Sequence, residues 1–229
     1  MTAPAQAPPQ AASPFALIRA LSVVSAICGL IIVAAYLVTL DRAKANRRLA
    51  AERAVFKVLP AAKAVRPFLA LADGDIAPAP EGDAPPGAIK FYAAYDAAGK
   101  FAGVAAEGAA KGYADTVRVM FGYGAACQCV VGLGVISMRE TPGIGDKILT
   151  DKDFLANFRA LDVRLKADLS ALANEVRVVK HGTKTQAWQI DAISGSTVTS
   201  RAVGRGINEA AEALLPRLVP KLGQLERQP

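Results

Sequence analysis

Between Arg19 and Asp41 the chain runs from Ala20 to Leu40 without a charged residue, rich in Leu, Ile and Val and free of Pro. At about 1.5 Å of rise per residue, a helix of this length spans roughly 30 Å, the thickness of a bilayer's hydrocarbon core. A core helix rarely stays uncharged for so long, and the apolar stretch of a cleavable signal is shorter, about 7–15 residues. The run is therefore expected to be an uncleaved anchor, a transmembrane helix over residues 15–40. Ala43-Lys44-Ala45 supplies the minor alternative, a cleavage site. Arg19 precedes the span, whereas Arg42, Lys44, Arg47, Arg48 and Arg53 follow it. By the positive-inside rule, that bias puts the C-terminal part in the cytoplasm.

The 229 residues leave room for one soluble domain beside the anchor. Although the net charge is +7, the single Trp and scattered aromatics offer no stacking platform, and no nucleic-acid-binding signature is present. No nucleic acid partner is expected. Three cysteines, Cys28, Cys127 and Cys129, one of them in the apolar run, do not make a disulfide framework.

Residues 1–14, rich in Pro, Ala and Gln, read as a disordered tail. Residues 41–60 read as a helical stalk ended by Pro60, and residues 61–88, with Pro78, Pro80, Pro85, Pro86 and Gly87, as a linker. The remainder, 89–229, is expected to be one α+β domain, an antiparallel sheet with packed helices. Strands are predicted at Phe91–Tyr95, from Phe101, at Thr116–Phe121, through Cys127–Ile136, and at Val176–Val179 and Ala187–Ile190. Gly122-Tyr123-Gly124 reads as a turn, Thr150–Asp153 as a helix cap, and Ser200–Leu215 as a helix interrupted at Pro216. Ile207, Ala210, Ala211 and Leu214 fall on one face of that helix, the expected core face.

Two short motifs carry candidate chemistry. Ser194-Gly195-Ser196-Thr197 lies just before the C-terminal helix. A helix N-terminus offers unpaired N–H groups and a positive dipole end, both suited to phosphate. Gly195 permits positive φ, and the hydroxyls of Ser194, Ser196 and Thr199 can donate to phosphate oxygens. Arg139-Glu140-Thr141-Pro142-Gly143-Ile144-Gly145-Asp146-Lys147 is a rigid loop poor in side chains, able to lie against a planar ring. Each alone also reads as an ordinary capping or connecting turn.

In this order, the motifs Glu140-Thr-Pro-Gly-Ile-Gly145 and Asp191-Ala-Ile-Ser-Gly-Ser-Thr-Val-Thr-Ser200, behind one membrane helix, resemble the flavin-carrying G subunit of the Rnf electron transport complex. They also resemble its cousin, the C subunit of the sodium-translocating NADH:quinone oxidoreductase. The resemblance covers about Phe91 to Leu215 plus the anchor, and Arg201-Ala202-Val203 and Gly112-Tyr113 continue it. It implies FMN esterified through its phosphate to Thr197 by a flavin transferase that uses FAD, with Asp191 opening the recognition segment. Ser194, Gly195, Ser196 and Thr199 would hold the phosphate. Thr141, Pro142, Gly143, Ile144 and Gly145 would flank the ring. Lys147 would support charge on the reduced ring, or pair on the helix that follows. Ser196 stands where the family has Ala, which makes it an alternative acceptor.

The resemblance implies a redox subunit rather than a stand-alone enzyme, working with the other Rnf membrane subunits in an ion-translocating ferredoxin:NAD oxidoreductase. It places the protein in the cytoplasmic membrane with the flavin domain on the outer, periplasmic side, against the charge bias. The basic stalk then meets lipid headgroups or acidic subunits. Asp146-Lys147 favours the Rnf protein over the quinone-reductase one. A different reading is an anchored structural or regulatory domain without flavin.

His181, the one histidine, reads as a surface loop residue, since no G-x-S-x-G accompanies it. Cys127 and Cys129 read as buried thiols on one strand face, with a C-x-C or interprotomer disulfide, or a metal shared with a partner, as alternatives. No metal site of the chain's own is expected. Gly122-x-Gly124, Gly132-x-Gly134 and Gly204-x-Gly206 lack the third glycine of a dinucleotide loop.

Overall fold

A computed structural model describes residues 13–80 and 84–226. The expected disordered tail falls, up to residue 12, outside them. Helix α1 spans Pro14–Val58. Two units divide at Arg48 and Leu49. In the first, the helix is long and apolar enough to cross a membrane, and none of its apolar window is buried against protein. Leu21, Leu30, Ile31, Ile32 and Leu37 are all exposed, as a lipid-facing helix requires.

The second unit, from Leu49, is built on a seven-stranded antiparallel sheet, ordered β2-β1-β3-β4-β5-β6-β7. Its strands are β1 (Ala64–Ala70), β2 (Ile76–Pro78), β3 (Ile89–Tyr95), β4 (Phe101–Lys111), β5 (Thr116–Gly124), β6 (Cys129–Ser137) and β7 (Leu161–Asp162). Helix α2 (Lys152–Ala156) precedes β7; β8 (Arg177–Val179) and β9 (Gln189–Asp191) form a separate parallel pair. The chain closes with α3 (Thr197–Leu218) and α4 (Leu222–Glu226).

The sheet is covered on both faces. Phe91, Ala93 and Tyr95 of β3, Val104 of β4 and Val119 and Phe121 of β5 join Ile207, Ala211, Leu214 and Leu215 of α3 in the larger core. The alternate residues Tyr92, Ala94, Ala105 and Met120 pack with Ala51, Ala54, Val55 and Val58 of α1. The period of two along a strand thus feeds two cores at once. Small residues set the spacing. A Cβ at Gly108 would lie 2.5 Å from the Gly206 carbonyl oxygen, so α3 rests backbone to backbone on β4. On the other face a Cβ at Gly132 would lie 2.5 Å from the Val58 carbonyl oxygen.

The α+β class and the antiparallel sheet with packed helices are as expected, and so is the core face of Ile207, Ala211 and Leu214. Several boundaries are corrected. Residues 61–88 are not a linker: they supply β1 and β2, and β1 pairs with β3 from Ala64–Tyr95 to Ala70–Ile89. The stalk continues the first helix to Val58, just short of Pro60, as expected, and its last turns also enter the core. Gly122–Gly124 continues β5 rather than turning. Asp151, not Thr150, caps α2, its carboxylate accepting the Phe154 N–H at 2.9 Å. α3 begins at Thr197 and carries Pro216 inside its last turn.

Cys127 and Cys129 are not free thiols on a strand face but a disulfide. β5 ends at Gly124 and β6 begins at Cys129, which leaves Cys127 in the turn. Gln128 between them takes φ 50°, and this left-handed residue folds the two sulfurs together.

Gly108→Ala is expected to cost about 1–3 kcal/mol, because α3 must lift from β4 to admit the methyl group. Gly223→Ala, where nothing lies within 4 Å, serves as the control. Equal urea midpoints for the two variants would show that the helix is not seated on the sheet as described.

Candidate functional site

The loop after β6 folds on itself: the Thr141 carbonyl accepts the N–H groups of Ile144 (3.1 Å) and Gly145 (2.9 Å). Gly143 sits at φ 76°, a conformation that glycine alone adopts without cost. The second loop, after β9, turns at Gly195 (φ 81°) and enters α3 at Thr197. Ser200 clamps it: its Oγ donates to the Ser196 carbonyl (2.9 Å) and accepts the Ile193 N–H (3.2 Å). The Ser200 N–H makes the first bond of the helix, to the Ser196 carbonyl at 3.0 Å. The N–H groups of Thr197, Val198 and Thr199 therefore have no partner within the helix.

Glu140 joins these pieces. One carboxylate oxygen accepts the Thr199 hydroxyl at 2.7 Å; the other accepts the Ala114 N–H, in the β4–β5 turn, at 3.2 Å. Glycines make the room. A Cβ at Gly112 would stand 2.5 Å from the Glu140 Oε1, and one at Gly145 would stand 2.5 Å from the Glu140 Cβ.

Around this knot opens a cleft of about 480 Å³ lined by Tyr113, Glu140, Thr141, Ile144, Gly145 and the run Gly195–Thr199. Tyr113, Ile144 and Val198, all in its lining, are 73%, 49% and 47% exposed, three large apolar groups left uncovered. Ser196 is 3% exposed, and its hydroxyl has no hydrogen-bond partner among the described residues. A buried hydroxyl without a partner is costly, and it points to a group that the cleft is built to receive.

A second cleft of about 450 Å³ lies on the other side of Ser194, lined among others by Lys147, Asp151, Asp153, His181 and Asp191. Asp191 organises its wall, accepting the Gly182 N–H at 2.8 and 2.9 Å and lying 3.5 Å from His181 Nδ1. Asn157 locks the strand before it, its Oδ1 accepting the Asp191 N–H (3.1 Å) and the Lys184 ammonium (3.0 Å). Burial pushes the Lys184 amine down, an effect partly offset by the Asp191 charge.

The sequence-predicted residues thus divide. Thr141, Ile144, Gly145, Gly195, Ser196, Thr197 and Thr199 come together at the first cleft. Ser194 and Lys147 line the second. Pro142 and Gly143 are exposed and shape the turn without lining either. Thr199, expected to donate to a phosphate, donates its hydroxyl hydrogen bond to Glu140 instead. Tyr113 and Glu140 were not among the expected site residues. Both stand in segments that the resemblance marked, and the acid that opens the loop motif was the available signal for Glu140. The surface position of His181 is as expected, with 57% of its side chain exposed. Among the described residues no cluster of His, Cys, Asp or Glu suits a metal ion.

Residues 112–212 match the family model of the FMN-binding domain. The G subunit of the Na(+)-translocating ferredoxin:NAD(+) oxidoreductase complex of Acetobacterium woodii is 34% identical over 103 residues, 44% of this chain and 43% of that protein. The G subunit of the ion-translocating oxidoreductase complex of Pasteurella multocida is 33% identical over 108 residues, 47% of this chain and 48% of that protein. The chain spans less than half the length of these curated relatives. The crystal structure of Shewanella oneidensis NqrC shares the fold with a TM-score of 0.56 at 22% identity, covering 80% of this chain and 98% of that one.

Glu140→Ala strips the acceptor from both Thr199 and Ala114 and is expected to cost about 1–3 kcal/mol in urea unfolding. Glu140→Gln, which keeps one acceptor oxygen, is expected to lose less. Combining Glu140→Ala with Thr199→Val should be less than additive, since both remove the same Thr199–Glu140 bond. Full additivity would mean that the two side chains are not coupled.

Proposed function

We propose that this chain, whose residues 112–212 match the FMN-binding domain, carries FMN as a phosphoester on Thr197 and serves as the membrane-anchored electron-transfer subunit of an Rnf-type ferredoxin:NAD oxidoreductase. The observation that carries the reading is Thr197 itself. It opens α3 at the mouth of the cleft, between a buried hydroxyl with no partner and three uncovered apolar side chains. The residues fit the group. The N–H groups of the first helical turn meet the phosphate and the dipole favours its charge. The Ser196 hydroxyl supplies a further donor. Tyr113, Ile144 and Val198 give an apolar ring surfaces to lie on, and Thr141 and Gly145 flank it.

Bound there, FMN supplies the electron-transfer chemistry. The protein's part is to hold the ring at a set place. Thr197 Oγ carries the ester and Gly195 gives the loop its left-handed turn. Glu140, through Thr199, fixes the first turn of α3 against the ring-flanking loop. Lys147 and Ser194, on the second cleft, act on the approach to the anchor rather than on the ring. A flavin transferase that recognises the segment from Asp191 would install the cofactor, and the other proteins of the complex would exchange electrons with it. The curated relatives, G subunits of ion-translocating oxidoreductase complexes by name, support this assignment over the quinone-reductase protein, to which the likeness is one of fold.

The domain is placed outside the cytoplasm. The Cys127–Cys129 disulfide supports this, because outside the reducing cytoplasm the bond stays closed until a reducing dithiol reaches it. Arg42, Lys44 and Arg47, just beyond the span, then meet the outer headgroups.

Co-expressed with its transferase, the protein is expected to show flavin fluorescence that survives denaturing electrophoresis and is lost in Thr197→Val but kept in Ser196→Ala. The reverse pattern would move the ester to Ser196, and no fluorescence beside a working control would leave an anchored domain without flavin. In spheroplasts, external protease is expected to digest the domain; full protection would put it in the cytoplasm.

A further inference from the structure

The Cys127–Cys129 disulfide takes no part in the flavin cleft. It stands at the β5–β6 turn, whereas Tyr113 stands in the β4–β5 turn, at the opposite end of β5. At about 3.3 Å per residue that strand separates them by roughly 30 Å. A role for the disulfide is therefore independent of the flavin reading.

Three observations bear on that role. First, the bond joins residues two apart in sequence, so it closes one of the shortest possible loops. Chain-entropy stabilisation by a disulfide grows with loop length, and here it is near its least. A structural staple would stabilise more across a longer loop. Second, closing the bond goes with holding Gln128 at φ 50°, one of two non-glycine residues with positive φ among those described. An L-residue resists that conformation, so the backbone pulls against the bond. Third, the two sulfurs differ in access. Cys127 is exposed in the turn, flanked by exposed Ala126 and Gln128, while Cys129 is buried at 5% exposure as the first residue of β6.

We propose that Cys127–Cys129 is a reversible thiol–disulfide exchange site whose partner is a dithiol. A thiolate of the partner attacks the exposed Cys127 Sγ, and Cys129 leaves as a thiolate and takes up a proton. The partner's second thiol, as its thiolate, then attacks its own sulfur in the mixed disulfide and releases Cys127, which takes up the second proton. The chain gains two electrons and two protons, and the partner dithiol loses them as it closes to a disulfide. What changes in the fold is the edge of the sheet. Cys129 pairs with Asp162 of β7, and the Gln128 carbonyl accepts the Val163 N–H at 3.2 Å. Reduction frees Gln128 to leave the left-handed region and withdraw that acceptor. The redox state of the pair is thus read out at the β6–β7 edge.

The test uses the full-length protein in detergent with Cys28→Ser, so that the pair is the sole source of thiols. The protein is equilibrated in glutathione buffers of graded GSH and GSSG without denaturant, quenched with a polyethylene-glycol maleimide, and scored on a gel. No thiol is expected to react before reduction. Both are expected to appear together as the buffer becomes reducing, and to disappear again on return to GSSG. Gln128→Gly removes the Cβ that opposes the left-handed backbone and is expected to shift the midpoint by about three- to tenfold toward the disulfide. Free thiols in the isolated protein would overturn the proposal. So would a disulfide that stays closed throughout the glutathione series and yields only to denaturant with reductant, the behaviour of a structural staple. A midpoint unmoved by Gln128→Gly would remove the backbone's opposition and contradict the account of why the bond is labile.

Discussion

The Glu140 carboxylate is the point through which the candidate site is assembled. It accepts from Thr199 on the first turn of α3 and from Ala114 in the β4–β5 turn, and it heads the loop that supplies Thr141 to Gly145. Three segments far apart in sequence are thereby held by one side chain. The close approach works because Gly112 and Gly145 leave no Cβ in the way. A charged acceptor strengthens both bonds relative to a neutral one. The geometry around Thr197 is thus fixed from outside that residue, and the N–H groups of the first helical turn have no partner within the helix.

Behind that knot lies a sheet loaded from both sides. α3 settles on one face through the Gly108–Gly206 contact, and the last turns of α1 settle on the other through Gly132 and the alanines at 51 and 54. Burying both faces removes the polar, solvated face that an antiparallel sheet usually keeps. It also ties the turns of α1 from Leu49 onward into the folded unit, where they serve as core rather than as a spacer.

Much of this was legible in the residues. The two motifs name the loops that line the cleft, and the apolar run Phe91–Tyr95 and the partial alternation in Thr116–Phe121 mark central strands. What escaped has physical reasons. β1 reads Ala-Val-Arg-Pro-Phe-Leu-Ala, and a proline within a strand argues against the assignment, yet Pro67 needs only to lend its carbonyl, which accepts the Ala79 N–H at 3.0 Å. The hydroxyl of Thr199 looks free for phosphate in one dimension, because its acceptor Glu140 lies 59 residues away. The glycines dismissed as failed dinucleotide loops serve packing, which becomes visible only when the partner element is in place. Cys127 reads as a strand residue until the positive φ of Gln128 turns the chain. Local pattern carried the motifs; contacts between distant segments decided which groups remain available to a cofactor.

An ester of FMN on Thr197, as proposed, would be visible in the mass of the protein matured with its transferase. The intact mass is expected to rise by one FMN less one water, with fragmentation placing the addition on Thr197 rather than Ser194, Ser196 or Thr199. An unshifted mass from protein matured beside an active transferase, or an addition on another hydroxyl, would contradict it.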